Sequence, residues 1–426
     1  MYLLQDWIRY GDELRRPLHI LPKVSSSSHI AIVGGGLSGL TTAYRIAEKR
    51  PDISITLIEK GKSLGGVIST WKDGEWCCDL AVNATRPHPA VWRLVDDIGL
   101  GEKFHPSNHA VRRRWIYENG KSHPLNPLTA IKIGPLNILR SINKVRKGGL
   151  SVDQLIPNKM IADAMTLGIV NDTAANVDAD FLFPRLTRFG RNPAKRWSSI
   201  KRKIKQTYPL FTPKRGTVAS FEGGMSTLVN QLEKQIGKLP NVKILLNTSF
   251  ENTGQAADFF GIPESSVIWA APVNNERPSN KLSVFVIGYK EADVKSVKKG
   301  YGTLIPESDI PISGILHESD IHGSRRAPIG HRLFRIMVPH SRWDGDNEEI
   351  RQYVRELLSN ADPVIFEKIG ERTIPSYPPG YLSKISNSDI SINRIGWSFS
   401  GVSITHVIAE AERVADFFNN KAGGSA

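Results

Sequence analysis

The chain has 426 residues, 40% hydrophobic and 23% charged, with a net charge of +14. That length is too great for one ordinary core and predicts at least two domains, and the composition excludes a disordered chain. No apolar run reaches the ~18 residues of a membrane-spanning helix. The two cysteines, Cys77 and Cys78, are adjacent, which excludes a disulfide framework and any zinc spacing; they read as reduced thiols. The positive excess suits a solvated basic surface or an anionic partner. Zinc-finger spacing and aromatic–basic single-strand motifs are both missing, so no nucleic-acid partner is read.

Residues 1–28 read as a targeting leader or an extended N-terminal arm. Arg9, Arg15, Arg16, Lys23 and Ser25–Ser28 suit a leader, whereas Asp6, Asp12 and Glu13 oppose one. Ile30–Val33 is a predicted strand, Leu40 to Lys49 a helix and Ile53–Ile58 a second strand, together one βαβ unit. Between Pro87 and Lys214 helical patterns alternate with basic loops, and Arg191 to Lys205 is dense in Lys and Arg, so 88–215 is predicted to be a mostly helical insertion. Gly223 to Gly237 is an amphipathic helix with Met225, Leu228, Val229 and Leu232 on one face. Val242–Leu246 and Ser266–Ala271 return to the first domain as strands. Leu282–Tyr289, Gly302–Pro306, Ile312–His317 and Leu333–Val338 predict a further sheet over 281–390, with a helix at Glu348–Ser359. The first domain is thus split over 29–87, 216–280 and 391–420, closing with a glycine turn and helix from Gly401. A short tail, 421–426, follows.

Gly34, Gly36 and Gly39 form G-x-G-x-x-G between the first strand and the first helix. The first glycine permits the turn, the second lets a pyrophosphate approach the backbone, and the third lets helix pack on strand. Leu37 and Ser38, within the motif, are read as cofactor contacts beside the helix start, whose N–H groups and partial positive charge face the phosphates. Glu59 ends the second strand at the distance where an acid accepts ribose hydroxyls. These residues alone mark a dinucleotide site. No metal-ligand set and no dedicated catalytic acid or base is read.

Gly65-Gly66 after Glu59 resembles the E-x-x-x-x-x-G-G continuation of the flavin-containing amine-oxidase superfamily. GVSITHVIAEAERVADFF, from Gly401, is similar to that superfamily's closing segment, where a glycine turn meets the flavin's pyrimidine edge. The resemblance implies an α/β fold: a Rossmann-like, GR2-type FAD-binding domain, a mixed-sheet substrate domain and a helical insertion. It implies FAD as cofactor, held by the residues above with Lys60, Phe250, Gly401, Val402, Ser403 and Ile404. Four further stretches resemble the protoporphyrinogen oxidase family: Met160–Leu186, Phe221–Ile236, Lys299–Ser319 and Arg372–Ile385. The implied reaction is the six-electron oxidation of protoporphyrinogen IX by dioxygen, with FAD supplying the redox chemistry and the protein orienting the macrocycle. Tyr301, Gly302, Leu304, Leu316 and Met337 would line the tetrapyrrole pocket. Pro124–Gly149, mixing Ile and Leu with Lys and Arg, would lie on an anionic membrane surface. The resemblance further implies the mitochondrial inner membrane as location, with a homodimer as an assembly of the family.

The chain departs from the family at three places. DLAVNATRP (Asp79–Pro87) stands against a pattern similar to (E/D)-L-G-P-x-(S/T/G)-(I/L)-R-P. Ala81-Val82 replace Gly-Pro, and Asn83, the candidate substrate contact, stands where arginine is the expected propionate partner. Asn carries no charge and makes no bidentate ion pair. Asn171-Asp172-Thr173 replaces Ala-Gly-Asp, and Thr405-His406 replaces Asn-Asp. Three readings follow: an active enzyme using another cation such as Arg86 or one of Arg112–Arg114, a non-catalytic relative, or an amine oxidase on the same fold.

Overall fold

The computed structural model describes residues 16–125, 148–183, 187, 210, 217–272 and 278–418. The predicted basic run Arg191–Lys205, residues 126–147 of the expected membrane-facing stretch, and the tail lie outside them.

The first sheet has five parallel strands in the spatial order Asn393–Arg394, Val267–Trp269, His29–Val33, Ser54–Ile58, Val242–Leu245. Both faces are covered, which is why its strands are apolar runs rather than alternating ones. Ile30 and Ile32 pack under the helices Leu37–Lys49, Ser226–Ile236 and Ile404–Phe417. Ala31 and Val33 pack on the other face with Ala256 and Ala257 of the helix Thr253–Phe260. Arg45, on the first helix, fastens the helical layer. Its guanidinium lies 2.7 Å from Glu412 of the C-terminal helix and 2.7 Å from Asp97 of the helix Pro89–Asp97.

The second sheet has seven strands in the order Ile365–Pro375, Ser279–Lys290, His331–Pro339, Gly314–Leu316, Gly302–Leu304, Arg114–Glu118, Lys121–Pro124. Only Gly302–Leu304 against Arg114–Glu118 is parallel. Side chains alternate between its faces. Phe285, Ile287, Phe334, Ile336 and Ile315 form a closed core with Ile350 and Val354 of the helix Asn347–Leu357. On the opposite face the register aligns Leu304, Gly314, Met337 and Val284 across four strands. Arg372 stands opposite Leu282, and Arg335 opposite Leu316.

Two expectations are corrected. Residues 16–28 are not an extended arm. Pro22–Ser26 forms a 3-10 turn, Ile20 and Val24 are buried in the core of the first domain, and His19 bridges to Arg394. Apolar side chains at 20 and 24 find the same pocket that the strands and helices enclose, so the domain boundary moves upstream of 28. The stretch 88–215 is not helical alone: Arg114–Glu118 and Lys121–Pro124 complete the second sheet. Lys121–Pro124 is the polar edge strand, where charged side chains are favoured, and Arg114–Glu118 is a five-residue strand flanked by arginines, so neither stands out among the basic loops. Elsewhere the predicted strands and helices stand within a few residues of their expected limits. The strand Ile365–Pro375 and the hairpin Thr70–Asp73/Trp76–Asp79 carry weak patterns and were not anticipated. Among the described residues no helix is long and apolar enough to cross a membrane.

Candidate functional site

The glycine loop is shaped by contacts that only glycine allows. Gly34 has φ 116°, and a Cβ there would lie 2.7 Å from the Ala271 nitrogen. A Cβ on Gly39 would lie 1.9 Å from the Gly34 carbonyl. Gly36 differs: a Cβ there would meet nothing nearer than the Gly66 Cα at 3.9 Å. The space beside Gly36 is therefore open, as close approach by a phosphate requires. Gly36 caps the helix that begins at Leu37, and Gly65 donates its N–H to the Gly35 carbonyl at 2.8 Å, bringing Gly65-Gly66 against the loop. The hydroxyls of Ser38, Thr41 and Thr42 are buried at the start of this helix and have no protein partner. Of these, Ser38 is in the first turn, where an orphaned donor fits a bound pyrophosphate. Glu59 accepts the N–H groups of Gly35 at 2.9 Å and Gly61 at 2.8 Å. Those bonds fix its carboxylate beside the loop and leave lone pairs for ribose. The residues present fit a dinucleotide cofactor.

The C-terminal segment joins this loop. Gly396, with φ 114°, sits where a Cβ would approach Ser38 Oγ at 3.6 Å and the Ala270 carbonyl at 3.8 Å. Its N–H donates to buried Glu410 at 2.6 Å. Burial pushes the Glu410 carboxyl up to about 8. Gly401 has φ 115°, and Ser403 caps the helix Ile404–Phe417 by accepting the His406 N–H at 3.1 Å. Val402 is half-buried and Ile404 buried. Lys60 is exposed. Phe250 packs against Phe259 and Phe260, on the sheet face away from the glycine helix.

Asp79–Pro87 runs between this loop and the second sheet. Asp79 is fully buried. One carboxylate oxygen accepts from Thr70 Oγ1 at 2.6 Å and from the Met225 N–H at 2.7 Å, and the other lies 3.2 Å from Arg326. Glu318 pairs with Arg335 at 3.1 Å and with His322 at 2.9 Å. Burial opposes its charge, but Arg335 and the His322 hydrogen bond prevail and hold its carboxyl down at about 2. Arg335 donates to the carbonyls of Asp79 and Ala81, and Arg372 donates to Ala81 at 3.1 Å. Neither arginine stood among the expected site residues. The nearest signal was the Arg372–Ile385 block, read only as a family pattern.

Leu304, Leu316 and Met337 are half-buried, and all three belong to the sheet face that turns toward Leu80. Leu80, Ile369 and Val402 are half-buried beside them. The structure therefore brings the predicted apolar lining together, with one change of role. A Cβ on Gly302 would strike the Ile315 carbonyl at 2.2 Å, so its glycine is required by the strand pairing itself. Tyr301 is half-buried with the Arg114 guanidinium 4.3 Å from its ring centre. Asn83 is buried, and its amide nitrogen has no partner. The proposed substitutes for the missing arginine, Arg86 and Arg112–Arg114, are all exposed. The departures are also connected: Thr405 Oγ1 lies 3.2 Å from Thr85 Oγ1. Asn171 takes a left-handed conformation that ends the helix Lys159–Val170, a role Asn fills well. Among the described residues no group of His, Cys, Asp and Glu is placed to hold a metal.

Residues 32–98 match the NAD(P)-binding Rossmann-like domain family. The chain is 23% identical to a coproporphyrinogen III oxidase of Bacillus subtilis over 90% of this chain and 96% of that one. It is 21% identical to a protoporphyrinogen oxidase of Schizosaccharomyces pombe over 92% and 99%. Among solved structures, a protein assigned as a protoporphyrinogen oxidase from Exiguobacterium superposes with a TM-score of 0.64 at 16% identity, covering 92% of this chain and 98% of that one. Cyclohexylamine oxidase from Brevibacterium oxydans superposes with a TM-score of 0.62 at 13% identity, over 93% and 99%. The fold and the glycine cradle define the Rossmann-like, two-sheet architecture of the flavin oxidoreductases. Within it the chain is a divergent relative of the porphyrinogen oxidases, similar to them over most of its length.

Proposed function

We propose that this protein is an FAD-dependent porphyrinogen oxidase of heme biosynthesis, converting protoporphyrinogen IX to protoporphyrin IX with dioxygen as acceptor. The observation that carries this reading is the half-buried apolar face of Leu80, Leu304, Leu316, Met337, Ile369 and Val402, set between the second sheet and the segment that runs to the glycine cradle. A broad apolar face beside a dinucleotide site suits a flat, largely apolar macrocycle. FAD, when bound, supplies the two-electron chemistry, in three rounds, with three dioxygen molecules leaving as hydrogen peroxide. The Gly34–Gly39 loop, Ser38, Glu59 and Gly65-Gly66 would hold the dinucleotide, and the Gly401–Ile404 turn its flavin end. The apolar face orients the macrocycle and excludes water. No side chain is needed as acid or base.

The basic character of Pro124–Gly149 supports a peripheral location on an anionic membrane. The resemblance supports the mitochondrial inner membrane and a homodimer.

The test is an absorbance spectrum of the purified protein, followed by addition of protoporphyrinogen IX and, separately, coproporphyrinogen III in air. A flavin spectrum and porphyrin fluorescence rising above the autoxidation control are expected, faster with protoporphyrinogen IX. Faster turnover of coproporphyrinogen III would reassign the substrate. Bound flavin without turnover of either would make the chain a non-catalytic relative.

A further inference from the structure

The charges gathered beside Asp79–Asn83 do not balance. Three arginines, buried Arg326 and Arg335 with half-buried Arg372, meet two buried carboxylates, Asp79 and Glu318. His322 adds no charge at neutral pH, because burial, with Arg326 beside it, lowers its pKa. Arg326 is matched by Asp79 and Arg335 by Glu318. Among the described residues no carboxylate pairs with Arg372. Its hydrogen bond is to the Ala81 carbonyl, which it shares with Arg335. Two cations thus crowd one neutral acceptor, and burial together with Arg335 pushes the Arg372 pKa down to about 10. A charge withdrawn from water without a counter-ion is costly, and an anion from outside the described residues would remove the imbalance.

The position of Arg372 indicates what that anion is. It stands on the sheet face of Leu304 and Met337, opposite Leu282 in register. The carbonyl it holds lies two residues before Asn83, whose amide nitrogen is buried and unpartnered. We propose that Arg372, with the Asn83 amide, forms a carboxylate-binding site at the polar end of the apolar face, taking a carboxylate of the tetrapyrrole substrate. This rests on the porphyrinogen reading above. The cation that the sequence lacks at position 83 is supplied from the neighbouring sheet, and the shorter Asn leaves room for it. Arginine suits the task because its planar fork accommodates a carboxylate bidentately.

The experiment is a fluorescence titration of the purified holoprotein with protoporphyrin IX and with its dimethyl ester, in the same detergent, for the wild type, R372Q and R372K. The wild type is expected to prefer the acid over the ester by tenfold or more. R372Q abolishes that preference by weakening acid binding alone, and R372K retains part of it. The Tm of R372Q stays equal to or above that of the wild type, since the unmatched charge has gone. A role confined to packing would instead lower the Tm and weaken acid and ester alike. The proposal is overturned if the wild type binds the ester as tightly as the acid, or if R372Q keeps the preference; in either case the porphyrinogen reading stands. Failure of the wild type to bind either compound overturns both.

Discussion

The glycine cradle and the charged layer beneath the second sheet lie on either side of Asp79–Pro87, yet they are built by opposite means. The cradle is assembled from backbone. Its geometry depends on side chains that are missing, and its polar groups await a partner. The charged layer is assembled from long side chains contributed by Asp79, Glu318, Arg326, Arg335 and Arg372, and most of its polar groups are already matched within the chain. A site made of backbone is fixed by local sequence and breaks by steric addition. A site made of paired charges is fixed by tertiary structure and breaks by subtraction.

The largest effect should come from adding an atom where the cradle has no space. Gly39→Ala places a Cβ against the Gly34 carbonyl, and a loss on the order of 5 kcal/mol in stability is expected, with no retained flavin. Chemical denaturation and the flavin spectrum read both. Subtraction from the charged layer comes next. Glu318→Gln leaves Arg335 without its counter-charge and should cost ~3–5 kcal/mol. A cost below ~1 kcal/mol would show that the layer is solvated rather than buried. Ile20→Ala should cost ~2–3 kcal/mol by thermal or urea unfolding, whereas a leader residue would cost nothing.

Glu410 belongs to both kinds of site, a buried carboxyl that holds the backbone at Gly396. Its folded pKa, about 8, lies above the ordinary 4.5, so the folded state binds the extra proton. Its contribution is complete below pH ~4.5 and is lost as pH rises through ~8, with a slope of up to ~1.4 kcal/mol per pH unit. Glu410→Gln should flatten the stability profile over that window, leaving the variant more stable than the wild type at pH 9. The smallest expected change in stability is for Gly36→Ala, under ~0.5 kcal/mol because the added methyl group meets open space. The same substitution should weaken flavin binding at least tenfold. The contrast between Gly36 and Gly39, two glycines of one motif, separates the ligand's requirement from the fold's.

That contrast also explains what could be read in the sequence. Gly34 to Gly39, Glu59 and Gly65-Gly66 lie within about thirty residues, so their spacing alone describes the turn, the helix start and the ribose acid. Leu304, Leu316 and Met337 were legible through family patterns, and the strand register brings them to one face. Arg335 and Arg372 were not legible. Each is one arginine among many on a chain of net charge +14, and only the packing of Leu80–Asn83 against two separate strands selects them. Ile20 and Val24 were missed because a short apolar pair flanked by Pro and Ser carries no helix or strand period.

The strand Asn393–Arg394 enters the first sheet at its edge, bound on one side to Val267–Trp269 and on the other to His19. The same sheet therefore draws on both ends of the described chain. During synthesis the glycine loop precedes the whole second sheet, and the helix that packs on Leu37–Lys49, Ile404–Phe417, follows that sheet. Contacts this distant in sequence close slowly. The first domain thus becomes complete only after the second sheet has been synthesised, and cofactor capture follows the making of both sheets.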